Sequence, residues 1–254
     1  MQGYDPATYG DRFAEIYDTL FAAVEPGMID RLGELAGNGP ALELGIGTGR
    51  VALPLLERGV AVAGVDASDA ILAKLKAKPR GNEIPAIVGD FSEVLPPGPF
   101  SLVYVIFNTF FGLTTQDAQV RCMRAVAKRL APGGSFLLEC FVPDVKRLAG
   151  QQISVGDVEL QRIRFDAVRY EPIAQTITGH HVFAGPDGVK LYPLHLRYVW
   201  PAELDLMAAL AGLALADRWS GWNREPFGPG SPRHISIYER AQACTPIPCP
   251  GDRS

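Results

Sequence analysis

Apolar residues recur along this chain with two different periods, and the change of period marks its organisation. Between residues 7 and 24, Tyr9, Phe13, Ile16, Tyr17, Leu20 and Val24 fall on one face at helical spacing. Pro6 suits the start of that helix and Pro26-Gly27 its end. Residues 28–37 form a second helical stretch. Short apolar runs then alternate with helical patterns. The spacing predicts strands over 40–44, 60–66, 84–88, 100–107 and 135–142. Between them it predicts helices over 50–58, from the N-cap Ser68 to Lys78, and from Thr115 to Leu130. The run over 100–107 is apolar nearly throughout, as expected of a central strand buried on both faces. Five strands alternating with helices predict an α/β fold with a doubly wound parallel sheet.

After residue 150 the pattern changes to β-branched and aromatic residues between turns. The segments 155–160, 161–170, 174–183 and 190–200 read as antiparallel strands covering one edge of the sheet, with Gly185-Pro186-Asp187-Gly188 as one of the turns. A helix over 201–212 and two closing strands over 213–219 and 234–239 follow, with a loop over 221–227. The expected organisation is a single domain over 1–240, with a helical lid (1–37), a cofactor-binding core (38–150), an antiparallel substrate cover (151–200) and a closing helix and strands (201–240). The Pro-rich tail over 241–254 is expected to be disordered.

Composition narrows the chemistry. The 254 residues carry 24 Lys and Arg against 28 Asp and Glu, and no basic run stands out. That balance argues against a nucleic-acid partner and for a small molecule. No apolar run reaches the length of a membrane span, and residues 1–5 lack the charged and apolar regions of a signal peptide, so a soluble cytoplasmic protein is expected. Cys122 and Cys140 read as buried free thiols. Cys244 and Cys249 lie in the tail without a matching His or Cys cluster, so no metal site is expected.

The most informative stretch is Ala41-Leu42-Glu43-Leu44-Gly45-Ile46-Gly47-Thr48-Gly49-Arg50. A strand breaks into three glycines at alternate positions and runs into a helix, which makes a cradle where nucleotide-like cofactors usually sit. A dinucleotide fingerprint wants its third glycine where Arg50 stands, a residue too bulky for close packing. Asp66 ends the second strand 21 residues after Gly45 and can accept from ribose hydroxyls. Gly89-Asp90-Phe91 ends the third, where a carboxylate can accept from an adenine amine and a ring can stack on the base.

Glu-Leu-Gly-Ile-Gly-Thr-Gly, Val-Asp-Ala-Ser, Gly-Asp-Phe and Leu-Ala-Pro-Gly-Gly-Ser-Phe, in that order over residues 40 to 140, resemble the successive motifs of class I S-adenosylmethionine-dependent methyltransferases. The resemblance implies a seven-stranded sheet in the order 3-2-1-4-5-7-6, with strand 7 antiparallel. It implies that Glu43, Gly45 and Gly47 line the methionyl end of the cofactor, with Gly49, Arg50 and Ala67 in the same cradle. Asp66 would take the ribose, Asp90 and Phe91 the adenine, and Phe107 and Asn108 would sit by the amino-acid moiety and the substrate. Residues 9–18 resemble the leading helix of small-molecule methyltransferases, including amino-sugar N-methyltransferases of antibiotic pathways. Tyr17 would then close over the methionyl group and Tyr9 would lie near the accepting atom.

For the substrate side the residues leave alternatives open. The N-terminal tyrosines either pack an apolar face on the domain or lie in a lid over the cofactor. Arg50 pairs with Glu43, with the cofactor carboxylate, or with solvent. His180 and His181 are adjacent on a strand, so at most one faces the pocket. Phe110, Phe111 and Trp222 are either apolar walls or core. A small-metabolite N- or O-methyltransferase is the leading reading. A nicotinamide oxidoreductase and a non-catalytic binder of the same cofactor are the alternatives, and the exposed face of the antiparallel segment could pair with another copy of the chain.

Overall fold

The computed structural model describes residues 1–21, 23–144 and 150–241. The tail that carries Cys244 and Cys249 lies outside the described residues. Seven strands form the main sheet: β1 (Ala41–Leu44), β2 (Val62–Asp66), β3 (Ala86–Val88), β4 (Phe100–Val105), β5 (Leu130–Phe141), β10 (Leu213–Trp219) and β11 (Arg233–Arg240), in the order β3-β2-β1-β4-β5-β11-β10. Only β11 runs against the rest, pairing antiparallel with both β5 and β10. This is the expected order and the expected antiparallel strand.

Every residue of β1 is buried, as its central place requires. On one face, α3 (Met28–Ala36), α4 (Ala52–Glu57) and α5 (Asp69–Lys76) pack through Leu32, Leu55 and Leu72. On the other, α6 (Gln116–Ala127) and α7 (Pro201–Leu210) pack through Met123, Val126 and Leu204. Two helices start on side-chain caps. Ser68 accepts from the Ile71 amide and Thr115 from the Ala118 amide.

Two expectations need correction. The single helix over 7–24 is two short ones, α1 (Thr8–Phe13) and α2 (Tyr17–Phe21), joined by a turn. They are held to the core at separate points. Ser68 Oγ donates to Asp11 at 2.5 Å, and Thr48 Oγ1 donates to Asp18 at 2.6 Å. These tethers override the helical period that runs through both. Second, β5 starts at Leu130. The Pro132-Gly133-Gly134 segment is a register shift inside it, Phe100 facing Leu130 and Leu102 facing Ser135. The antiparallel segment forms as expected, as a sheet of its own. β6 (Gln151–Val158), β7 (Ile163–Glu171), β8 (Thr176–Gly185) and β9 (Gly188–Arg197) form a separate four-stranded sheet. It meets the lid through Phe183 and Tyr192, which cluster with Phe13, Tyr9 and Tyr17. Among the described residues no helix is long and apolar enough to cross a membrane.

Candidate active site

The C-terminal ends of β1, β2, β3 and β4 open onto one cavity of about 580 Å³, roofed by α1, α2 and the inner face of the four-stranded sheet. Gly45 and Gly47 line it with φ of 70° and 57°. A side chain at Gly47 would meet only Ile71 and the Gly45 carbonyl, at 3.8 and 4.0 Å, so the cradle is kept open by the missing Cβ. Asp66 lines the cavity next to them. One of its oxygens accepts from the Gly47 amide at 2.9 Å and the other from the Ser68 amide at 3.0 Å. Burial raises its pKa against those hydrogen bonds. Ala67, Asp90 and Phe91 continue the wall, with Asp90 accepting from the Ser92 amide at 2.7 Å.

The far wall begins where β4 ends. Phe107 and Asn108 both have positive φ, 56° and 65°, a left-handed pair uncommon outside glycine. Glu139 on β5 holds the pair in place. It accepts from the Phe107 amide at 3.1 Å, from Trp222 Nε1 at 3.3 Å and from Arg233 at 3.1 Å. The Asn108 side-chain oxygen accepts from the Phe141 amide at 2.7 Å, which leaves the donor half of its amide for the cavity. Tyr9 and Tyr17 reach the cavity from the lid. Burial pushes both phenols well above their ordinary pKa, so they are neutral hydroxyls. Tyr9 also stacks on Phe13 with ring centroids 4.3 Å apart.

Several candidate residues are placed elsewhere. Glu43 is buried beneath the cradle rather than on the cavity wall, accepting from the Tyr104 hydroxyl at 2.9 Å. Burial raises its carboxyl to about 8. Gly49 lies against Leu75 and Leu53 and serves helix packing. Arg50 donates to the Ala23 carbonyl at 2.6 Å and lies 5.1 Å over the Phe107 ring, so it clamps the segment after α2 instead of pairing with Glu43. Phe110, Phe111 and Trp222 are core residues. Phe111 packs edge-on against Phe141, and Trp222 is tied to Glu139. Of the two adjacent histidines, His181 lines the cavity and His180 does not.

Sequence reasoning missed Glu139, although a lone carboxylate in Phe136-Leu137-Leu138-Glu139-Cys140-Phe141 is the kind of signal that marks a buried polar hub. It also missed Asp18, Asp166, Met1 and Asp5. Met1, Tyr4 and Asp5 line the cavity, and Tyr4 stands edge-on to His195 at 5.5 Å. Burial raises Tyr4 to about 12.

Residues 41–134 match the family described as a methyltransferase domain. The solved structure of the CcbJ methyltransferase from Streptomyces caelestis is 40% identical, superposes with a TM-score of 0.87, and aligns over 94% of this chain and 100% of that one. The chain belongs to the class I S-adenosylmethionine-dependent methyltransferases. This methyltransferase is also 29% identical over 245 residues to the cypemycin N-terminal methyltransferase of a Streptomyces species, covering 93% of this chain and 99% of that protein. An amino pentose methyltransferase from Micromonospora echinaspora shares the fold, with a TM-score of 0.67 at 19% identity over 89% of this chain and 97% of that one. The cofactor of the methyltransferase is S-adenosylmethionine, and the donor set fits it. Two carboxylates at successive strand ends, a ring beside the second and an open glycine turn suit a nucleoside joined to an amino acid. The nicotinamide and non-catalytic readings fall.

Proposed function

We propose that the enzyme methylates an amine nitrogen of a small metabolite by in-line displacement. The observation that carries this reading is the composition of one cavity. Asp66, Asp90 and the glycine turn line it together with Tyr9, Asn108 and His181. When bound, S-adenosylmethionine supplies a methyl group already electrophilic on a sulfonium, so no metal is required. Asp66 takes the ribose hydroxyls, Asp90 and Phe91 the adenine, and the backbone at Gly45 and Gly47 the methionyl end. Phe107 and Tyr17 cover that end and exclude water. Tyr9 and Asn108 orient the accepting nitrogen, so catalysis is by proximity and orientation.

For the choice of nitrogen, Tyr9 is a neutral phenol and Asn108 a neutral amide, both able to orient an amine. The cypemycin relative is named as an N-terminal methyltransferase, which supports the same choice. Transfer of labelled methyl to a panel of small primary and secondary amines and their hydroxyl counterparts tests the reading. Amine-only labelling is expected, with Tyr9→Phe lowering kcat and leaving S-adenosylhomocysteine affinity unchanged. Labelling confined to hydroxyl acceptors overturns it.

A further inference from the structure

The antiparallel sheet sets Asp166 of β7 directly opposite His181 of β8, with Tyr192 of β9 next in the same row. Side chains in one cross-strand row share a face. Here that face is turned to α1, because the Phe13 ring lies 5.9 Å from His181 and 4.6 Å from Tyr192. His180, one residue earlier, is on the other face with Ala167 and Pro193. His181 Nδ1 is 2.6 Å from Asp166 Oδ1. An ionised carboxylate only accepts, so Nδ1 carries the proton and Nε2 is left with its lone pair. His181 lines the same cavity as Tyr9.

The carboxylate is well suited to this task. Burial works to raise Asp166, but the hydrogen bond from His181 and the positive charge of Arg164 act against it, and its carboxyl lies below the ordinary value. Arg164 Nε stands 3.6 Å from the same oxygen. The ladder hydrogen bonds of β7 and β8 hold both backbones, so the pair is fixed on a rigid element. The other groups facing His181 are Tyr192 from β9 and Phe13 from α1, with Tyr9 stacked behind Phe13. The remaining cavity histidine, His195, faces the Tyr4 ring, and no carboxylate in the described residues is paired with it. Asp66 and Asp90 are on the nucleoside side.

We propose that the His181–Asp166 pair is the proton acceptor for the amine substrate, with His181 as the catalytic base and Asp166 as the residue that positions it. This rests on the amine reading above. An alkylammonium substrate enters with its nitrogen lone pair occupied by a proton. That N–H bond breaks and the proton passes to His181 Nε2, which becomes imidazolium paired to Asp166. The freed lone pair forms the N–CH3 bond as the S–CH3 bond breaks, and the bonding electrons stay on sulfur as a neutral thioether. The product leaves as the N-methylated ammonium, and His181 returns its proton to water.

The test combines kinetics with a measurement on the free enzyme. Wild type, His181→Asn and Asp166→Asn are assayed from pH 5.5 to 9.5 with an amine that the wild type methylates, and the His181 imidazole nitrogens are followed by NMR. General-base removal is expected to lower kcat about 100-fold at pH 7. KM should change far less, and the deficit should shrink as pH rises and the amine loses its proton to bulk water. Asp166→Asn should give an intermediate loss and convert the His181 signal from a single Nδ1–H tautomer to a mixture. Hydroxyl-only methylation by wild type overturns the amine reading and this inference with it. Amine methylation by wild type, with His181→Asn keeping the same kcat and pH profile, overturns this inference alone. So does a His181 tautomer unchanged in Asp166→Asn.

Discussion

The Thr48 hydroxyl donates a hydrogen bond of 2.6 Å to the Asp18 carboxylate, joining the glycine turn to a helix 30 residues earlier. Lys78 reaches the same carboxylate at 2.7 Å from the end of α5. The helix α2, whose Tyr17 lines the cavity, is therefore pinned to the glycine turn, and opening of this latch is expected to gate S-adenosylmethionine. The ion pair is half exposed, so it contributes little to global stability. Asp18→Ala should cost at most ~1 kcal/mol in thermal unfolding. It should weaken S-adenosylhomocysteine binding about 5-fold, chiefly through faster release. Calorimetry and stopped-flow dissociation read the two effects, and an unchanged release rate would show that α2 does not gate the cofactor.

Asp66 does two things at once, and its two variants should separate them. Its oxygens brace the turn through the Gly47 and Ser68 amides, and its position in the cavity suits a ribose diol. Asp66→Ala removes both roles and should weaken S-adenosylhomocysteine binding about 50-fold, from charged hydrogen bonds of ~2 kcal/mol. Asp66→Asn keeps one acceptor for the turn and should fall between. Equal affinity of Asp66→Ala and wild type by calorimetry would remove the ribose assignment.

The sheet and the cofactor side were legible because they rest on local chemistry. Alternation of period gives the strands and helices, and a carboxylate at the end of β2 or β3 needs only its own strand to place it. The three alternate glycines look equivalent in sequence, yet Gly45 and Gly47 face the cavity while Gly49 faces Leu75 of α5. That difference is set by packing across the sheet, which no local pattern encodes. The same holds for the aromatic candidates. Trp222 is buried in an apolar cluster, with its Nε1 donating to Glu139, 83 residues away. The substrate side was the least legible part, since Asp166 and His181 become a pair only through the register of β7 on β8.

Glu139 is the support behind the left-handed Phe107–Asn108 pair. Removing it leaves the Phe107 amide, Trp222 Nε1 and Arg233 without that acceptor in a site where Glu139 itself is almost wholly buried. Glu139→Ala should destabilise the enzyme by about 3 kcal/mol, the cost of breaking a buried charged network from one side. Arg233 retains its pairing with Glu25, which keeps the loss from being larger. Denaturant unfolding of the purified variant checks the figure. A change under ~1 kcal/mol would mean the strained turn is held by the Asn108–Phe141 bond alone.

Glu43 should make the enzyme less stable as the solution turns basic. Its folded pKa of about 8 stands above the ordinary 4.5, because burial outweighs the Tyr104 hydrogen bond and the charge of Arg50. Between those two values the folded protein holds a proton that the unfolded chain has released. The unfolded state therefore binds fewer protons and stability falls with rising pH. The contribution is complete below about pH 4.5 and is lost as pH rises through about 8, a total of ~5 kcal/mol. Glu43→Gln keeps an acceptor for the Tyr104 hydroxyl without the titrating proton. The melting temperatures of wild type and Glu43→Gln should then lie close together at pH 5 and diverge towards pH 8, with the variant higher. Parallel curves across that range would mean that Glu43 ionises normally and that the space beneath the glycine turn is wetter than its burial implies.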